Sequence, residues 1–158
     1  MNIFFSSDKK EYNTIKKGTE ILLAENDGFN QNIELSVEFQ DRPEILINKR
    51  NNQIHIICRE ISHYYRALNY AIHHMEEDEF QYREHVCFER NGLMLDCSRN
   101  AVFTVEKVKF LIKTLAKLGM NVLMLYTEDT YEVEGQPYFG AYRGKYTKDE
   151  IKELDAYA

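Results

Sequence analysis

Polar and apolar positions alternate in two rhythms along this chain, and each rhythm predicts a kind of element. Ile33-Glu34-Leu35-Ser36-Val37-Glu38-Phe39 alternates strictly, as a half-buried strand does. Before it, Tyr12, Ile15, Ile21, Leu22 and Leu23 recur among Lys and Glu, which predicts a helix from Lys9 to about Asn26, weakened by Gly18. Asn26-Asp27-Gly28 then signals a turn. Arg42-Pro43 breaks the chain, and Ile45–Asn48 and Ile54–Cys58 flank the polar run Lys49–Gln53, predicting a hairpin. A second helix is expected from about Glu60 to Glu77, with Ile61, Tyr64, Tyr65, Leu68, Ala71, Ile72 and Met75 on its apolar side. The acidic run Glu76-Glu77-Asp78-Glu79 leads into an expected strand, Tyr82 to Phe88.

Beyond that point the rhythm changes. Gly92–Leu95 and Val122–Leu125 are short, continuously apolar runs, the signature of parallel strands covered on both faces. Between them Val105, Val108, Leu111, Ile112, Leu115 and Leu118 recur with helical spacing. Thr104 is placed to cap the start of that helix, and Gly119 falls where a C′ residue belongs. Together these make one βαβ unit, with polar residues at the carboxyl ends of its strands. A long polar and aromatic loop follows. Thr147-Lys148-Asp149-Glu150 then opens a last helix with a capping box.

Composition narrows the function classes. A net charge of −6 over 158 residues lacks the basic stripe that nucleic acid requires. No apolar run approaches a membrane span, and Met1–Asp8 has no basic flank of the secretory kind, so a cytoplasmic protein with neither nucleic acid nor membrane as partner is expected. Cys58, Cys87 and Cys97 are odd in number, lack C-x-x-C spacing and sit in apolar runs. They read as buried thiols in a reducing compartment rather than a disulfide or a metal site. His73-His74 lie on the second helix without Cys or acidic ligands at metal spacing, so no metal is expected.

The stretch Gly-Leu-Met-Leu-Asp-Cys-Ser-Arg (92–99), a helix, then Gly-Met-Asn-Val-Leu (119–123) resembles the opening of the catalytic barrel in family 20 glycoside hydrolases, the β-N-acetylhexosaminidases. Glu128-Asp129-Thr130-Tyr131, Gly135-Gln136-Pro137-Tyr138-Phe139-Gly140, Arg143-Gly144-Lys145-Tyr146-Thr147 and Lys148–Leu154 continue the resemblance, which covers roughly Phe88 to Ala158. It implies a fold of the α/β class. Residues 1–87 would form a small α+β domain with a mostly antiparallel sheet, and residues 88–158 the first two βα units of a (β/α)₈ barrel. Such a barrel needs eight units over roughly 250 residues, so the chain reads as the amino-terminal part of a longer enzyme.

The resemblance also implies a reaction. These enzymes release terminal β-linked N-acetylglucosamine or N-acetylgalactosamine by substrate-assisted retaining catalysis, an exception to the two-carboxylate scheme. The sugar's acetamido oxygen attacks the anomeric carbon, an Asp orients the acetamido group, and the adjacent Glu protonates the leaving oxygen. That Asp-Glu pair belongs after a later strand, so no catalytic residue is expected here, nor any cofactor, and the chain alone should be inactive. Asp129 matches the acid ending the family's second strand, where it supports the catalytic carboxylates; the other reading is a loop carboxylate capping amides. The family's histidines are missing before it, and Thr130 replaces a second acid.

Arg90 stands near the arginine that contacts the terminal sugar's hydroxyls in the family, although Asn91 intervenes before the glycine. A surface or interdomain ion pair is the alternative for it. Asp96 and Arg99 sit in the first βα turn, on the face where barrel enzymes place their sites, and read either as site residues or as a salt bridge or cap holding that turn; Glu128 reads as a solvated or structural neighbour, and Tyr131, Tyr138, Phe139 and Tyr142 as loop packing or sugar-stacking rings. With its barrel neighbours missing, the chain should self-associate through open strand edges. The rival class is a non-catalytic sugar-binding or interaction module.

Overall fold

A computed structural model describes residues 2–3, 9–25, 33–99 and 101–158. Its elements run β1 (Asn2–Ile3), α1 (Lys9–Ala24), β2 (Glu34–Phe39), β3 (Glu44–Arg50), β4 (Gln53–Cys58), α2 (Ile61–His73), β5 (Glu79–His85), β6 (Gly92–Asp96), α3 (Val105–Lys117), β7 (Val122–Tyr126) and α4 (Lys148–Tyr157). This is the α/β order expected. The chain divides into two compact units, Met1–Glu89 with Ala116–Met120 and Arg90–Leu115 with Asn121–Ala158. The turn expected at Asn26-Asp27-Gly28 lies outside the described residues.

In the first unit, one sheet runs in the order β1-β2-β4-β3-β5. β1–β2 and β2–β4 pair parallel, while β3 is antiparallel to both β4 and β5, and these antiparallel ladders hold most of the paired residues. Alternation puts Leu35, Val37, Ile45, Ile47, Ile54 and Ile56 on one face, where they form a core with Ile15 and Leu22 of α1 and Tyr64, Ala67, Leu68 and Ala71 of α2. Each fully buried aliphatic side chain there is worth roughly 1.5–3 kcal/mol. The helices also meet through a satisfied polar pair: the buried Thr19 hydroxyl donates to the Ile15 carbonyl at 2.6 Å and lies 2.7 Å from the Tyr64 hydroxyl. Packing of this kind carries α1 through Gly18.

Three boundaries differ from the sequence reading. The hairpin turn shrinks to Asn51-Asn52, with Asn51 at φ 49, a left-handed conformation that Asn tolerates. Lys49 is therefore a strand residue, buried, with its ammonium donating to the Glu77 carbonyl. α2 stops at His73, leaving His74 as its C-cap and not on the helix. β5 starts and ends three residues early, because it pairs in register with β3 from Arg50↔Glu79 to Glu44↔His85. Tyr70 of α2 also stacks on Tyr82 of β5, ring centroids 3.9 Å apart. Cys87 falls beyond the strand and is exposed, unlike the buried thiols Cys58 and Cys97.

In the second unit β6 and β7 pair parallel, Gly92↔Val122 through Asp96↔Tyr126, with α3 as the crossover. Thr104 does cap α3, accepting from the Lys107 amide at 3.3 Å, and Gly119 follows its end at φ 73. Thr147 and Glu150 close the expected capping box on α4. Leu95, Leu123 and Leu125 pack with Val105, Val108, Tyr146 and Leu154. The other face differs from expectation: Met94 is 60% and Met124 53% exposed, so the pair is covered on one side among the described residues. Leu118, expected on the apolar face of α3, is half exposed.

Gly92 makes the pairing possible, since a Cβ there would collide with the Val122 carbonyl, which is backbone and cannot step aside. Gly92→Ala should therefore destabilise the second unit by about 1–3 kcal/mol, the usual cost of overpacking. Urea unfolding with amide exchange at Leu93–Leu95 measures it, and an unchanged midpoint would mean that the strands simply relax apart.

Candidate functional site

Because β6 and β7 are parallel, their carboxyl ends lie together, and so do the polar residues that follow each. The Cys97 amide donates to the Tyr126 carbonyl at 2.9 Å, carrying the pairing one step past the strands. Asp96 closes the first turn. Its Oδ1 accepts from the Ser98 hydroxyl at 2.6 Å, the Ser98 amide at 2.9 Å and the Arg99 amide at 3.2 Å, and its Oδ2 from the Arg99 guanidinium at 2.9 Å. Those bonds, the Ser98 hydroxyl first, hold the carboxyl well below its ordinary range, at about 2. Of the two readings for Asp96 and Arg99, the salt bridge that caps the turn is the one present. Arg99 also lies over Tyr126, 5.7 Å from the ring centroid, and the Tyr126 hydroxyl donates to Glu128 at 3.2 Å.

Asp129 follows β7 at this same end. Arg143 Nη1 donates to its Oδ1 at 2.6 Å, with both side chains a little over a third exposed. The partner is thus a guanidinium from the far side of the loop, and the Asp129 carboxylate caps no backbone amide among the described residues. Gly140, at φ 65, sits so close to the Asp129 carbonyl that any Cβ would clash. Tyr146 ties the loop down: its amide donates to the Thr130 carbonyl at 3.0 Å, its carbonyl accepts from the Glu132 amide at 2.8 Å, and its buried hydroxyl donates to the Phe103 carbonyl at 2.7 Å. Burial, with Cys97 beside it, pushes that phenol well above its usual range.

Arg90 is elsewhere. It precedes β6 at the amino end, exposed and without an ion pair or hydrogen bond among the described residues. Five strand residues, at about 3.3 Å each, separate that end from the carboxyl end. The structure does not bring Arg90 and Asp129 together. The Asp149-Glu150 dipeptide is spent on α4, Asp149 pairing with Lys152 at 3.0 Å and Glu150 serving the capping box. His74 stacks on Tyr70 and bonds Glu77 at 2.6 Å. Among the described residues no group of three or more His, Cys, Asp or Glu gathers as metal ligands, and no helix is long and apolar enough to cross a membrane. Sequence reasoning missed Arg143 and Ser98. The only signal for Arg143 was its place in the Arg-Gly-Lys-Tyr-Thr motif, with nothing to say which acid it meets.

No protein-family model matches the chain, and no curated protein does. Solved structures do. An exo-β-N-acetylglucosaminidase of glycoside hydrolase family 20 from Vibrio harveyi, in complex with N-acetylglucosamine, matches at TM-score 0.73 and 19% identity, covering 99% of this chain and 30% of that one. A family 20 chitobiase from Flavobacterium johnsoniae matches at TM-score 0.63 and 20% identity, over 99% and 29%. A family 20 β-N-acetylhexosaminidase from Streptomyces coelicolor A3(2) matches at TM-score 0.74 and 17% identity, over 99% and 39%. The chain therefore spans about a third of the length of these structures. At such identity the likeness is one of fold, and at that level it bears out the resemblance drawn from the motifs.

The Asp96 turn gives a direct test. Its lowered pKa means that the stability it contributes is complete above the ordinary carboxyl value of 3.8 and is lost as pH falls from there through about 2. Carboxyl carbon shifts should titrate near that lower value, and Ser98→Ala should raise the midpoint more than Arg99→Gln does. The reverse order would make the guanidinium, not the hydroxyl, the main support.

Proposed function

We propose that this chain is the amino-terminal part of a glycoside hydrolase that removes terminal β-linked N-acetylglucosamine or N-acetylgalactosamine from glycans. Residues 1–87 would form the small α/β domain and residues 88–158 the first two βα units of its (β/α)₈ barrel. The observation that carries the reading is the fold likeness along nearly the whole chain to enzymes named as β-N-acetylglucosaminidases and β-N-acetylhexosaminidases. The bare face of β6–β7 fits it, since the inner wall of a barrel is lined with side chains that only further strands can cover.

In this reading the substrate's acetamido oxygen is the nucleophile and attacks the anomeric carbon. The acid that protonates the leaving oxygen, and the Asp that steadies the acetamido group, belong to later strands. Asp129, fixed by Arg143, serves as an active-site support at the carboxyl end of the second strand. Arg90 reaches the terminal sugar only if that sugar lies deep along the bare face, beside Met94 and Met124. The reaction uses no cofactor.

The full-length protein should hydrolyse an aryl β-N-acetylglucosaminide, and residues 1–158 alone should not. In the full-length enzyme Asp129→Asn removes charge while keeping shape. Losing one preorganising contact of this kind typically lowers kcat on the order of 10²-fold with little change in KM. A raised KM with kcat intact would make Asp129 a binding group instead. Hydrolysis by residues 1–158 would sink the assignment of the acid to later strands.

The isolated chain should also associate with itself. The two-stranded β6–β7 sheet has no further strand at either edge among the described residues, and unpaired edges recruit other strands. Sedimentation velocity of residues 1–158 should show a concentration-dependent increase in mass, and a monomer at every concentration would refute it.

A further inference from the structure

We propose that Asn91-Gly92, at the entry to β6, is a self-modification site, where the Gly92 nitrogen closes on the Asn91 side-chain carbonyl and the chain loses ammonia. A bond forms between the Gly92 nitrogen and Asn91 Cγ, the bond from Cγ to its amide nitrogen breaks, and the Gly92 amide proton leaves with the ammonia. Water then opens the five-membered imide at either carbonyl, leaving an aspartyl or an isoaspartyl link. The inference is independent of the glycan-hydrolysing reading.

The strand register places the nucleophile. In a parallel pair only every second amide of a strand faces its partner. The Val122 amide donates to the Asn91 carbonyl at 3.2 Å and the Cys97 amide to the Tyr126 carbonyl at 2.9 Å, with Gly92 opposite Val122 and Asp96 opposite Tyr126. The amides of Leu93, Leu95 and Cys97 therefore point at β7. Those of Gly92 and Met94 point at the other edge of β6, where no strand lies among the described residues. Gly92 is exposed, so its nitrogen meets water and can lose its proton, and no Cβ at that residue obstructs the attack.

The electrophile is equally open. Asn91 is exposed, and its side-chain amide takes no hydrogen bond among the described residues. It begins the one Asn-Gly pair in the sequence. What restrains it is backbone: the Asn91 carbonyl accepts from the Asn121 amide at 2.9 Å as well as from Val122, and the Asn91 amide donates to Asn121 Oδ1 at 2.9 Å. Closing the ring turns the Asn91 carbonyl out of this grip, so the reaction follows opening of the first residues of β6 rather than unfolding of the unit. An isoaspartyl product routes the backbone through the side chain and makes the gripped carbonyl a pendant carboxylate. Gly92, already too close to the Val122 carbonyl to admit a Cβ, then loses its register.

The test keeps the 158-residue chain dilute, so that strand edges stay uncovered, and follows Asn91 by peptide mapping in heavy-oxygen water. The folded chain should convert Asn91 to heavy-oxygen-labelled aspartate and isoaspartate, faster as pH rises because the nitrogen attacks as its anion. The rate should be about ten- to a hundredfold below that in urea, the effect of three exposed hydrogen bonds. Asn91→Gln, which keeps the backbone bonds and closes no five-membered ring, should abolish both products. In native exchange the Gly92 amide should lose its proton much sooner than that of Leu93, and the isoaspartyl form should lose the Leu93 protection too. The proposal is overturned if the folded chain leaves Asn91 intact while urea converts it, or if the folded and unfolded rates are equal. It is equally overturned if other asparagines convert as fast, or if Gly92 is protected like Leu93.

Discussion

Side-chain alternation in a parallel pair of strands divides the second unit into two unlike faces, and most of what matters there follows from that division. Leu95, Leu123 and Leu125 turn toward α3 and the core beneath it, while Met94 and Met124 face away with nothing over them among the described residues. A parallel pair also needs a crossover, and α3 supplies it, so both strands run the same way and both exit at the same end. Asp96, Arg99, Tyr126, Glu128 and Asp129 are neighbours at that end as a consequence of topology, though they come from segments separated by a whole helix. Gly92 sets how closely the two strands can approach, because the Val122 carbonyl leaves no room for a side chain.

Magnitudes separate what holds this end together from what aims it. Exposed ion pairs such as Asp96–Arg99 and Asp129–Arg143 add little to stability, because water screens them and the side chains lose freedom in pairing. The buried Tyr146 contributes more, since it removes a whole aromatic ring from water and bonds its hydroxyl to the Phe103 carbonyl. Tyr146 also returns the chain to Thr130 and Glu132 through backbone bonds, closing the long loop on itself just before the capping box starts α4. The ion pairs then add direction: each takes a carboxylate that could swing freely and fixes one of its oxygens.

Local patterns in the sequence foretold what is local in the structure. Thr104 and Gly119 bracket α3, Thr147 and Glu150 open α4, and the alternation of Ile33–Phe39 becomes β2. What escaped depends on distant partners. β5 takes its limits from the β3 ladder, and no feature of Tyr82–Phe88 reveals that Glu79 pairs with Arg50. Lys49 looks like a turn residue until Glu77 supplies a carbonyl for its buried ammonium. The parallel pairing of β2 with β4 joins strands between which β3 intervenes in the chain, a topology that alternation alone does not specify. At the candidate site the same rule holds. The place of Asp129 after an apolar strand was legible, whereas Arg143 meets it across a loop whose path depends on Gly140 and Tyr146.

The Arg143 contact changes what Asp129 can contribute. A guanidinium presents a rigid fork of donors and gives up no proton, so a carboxylate held by it is oriented. Arg143 occupies Oδ1 and leaves Oδ2 without a hydrogen-bond partner among the described residues. One oxygen anchored and one open leaves Asp129 able to accept a further hydrogen bond at a fixed place. A general acid would instead need surroundings that keep its proton on until the leaving oxygen claims it. The reading proposed above, with the proton donor on a later strand, asks of Asp129 only the orientation that this ion pair supplies. A free carboxylate at the same place would have fitted either role.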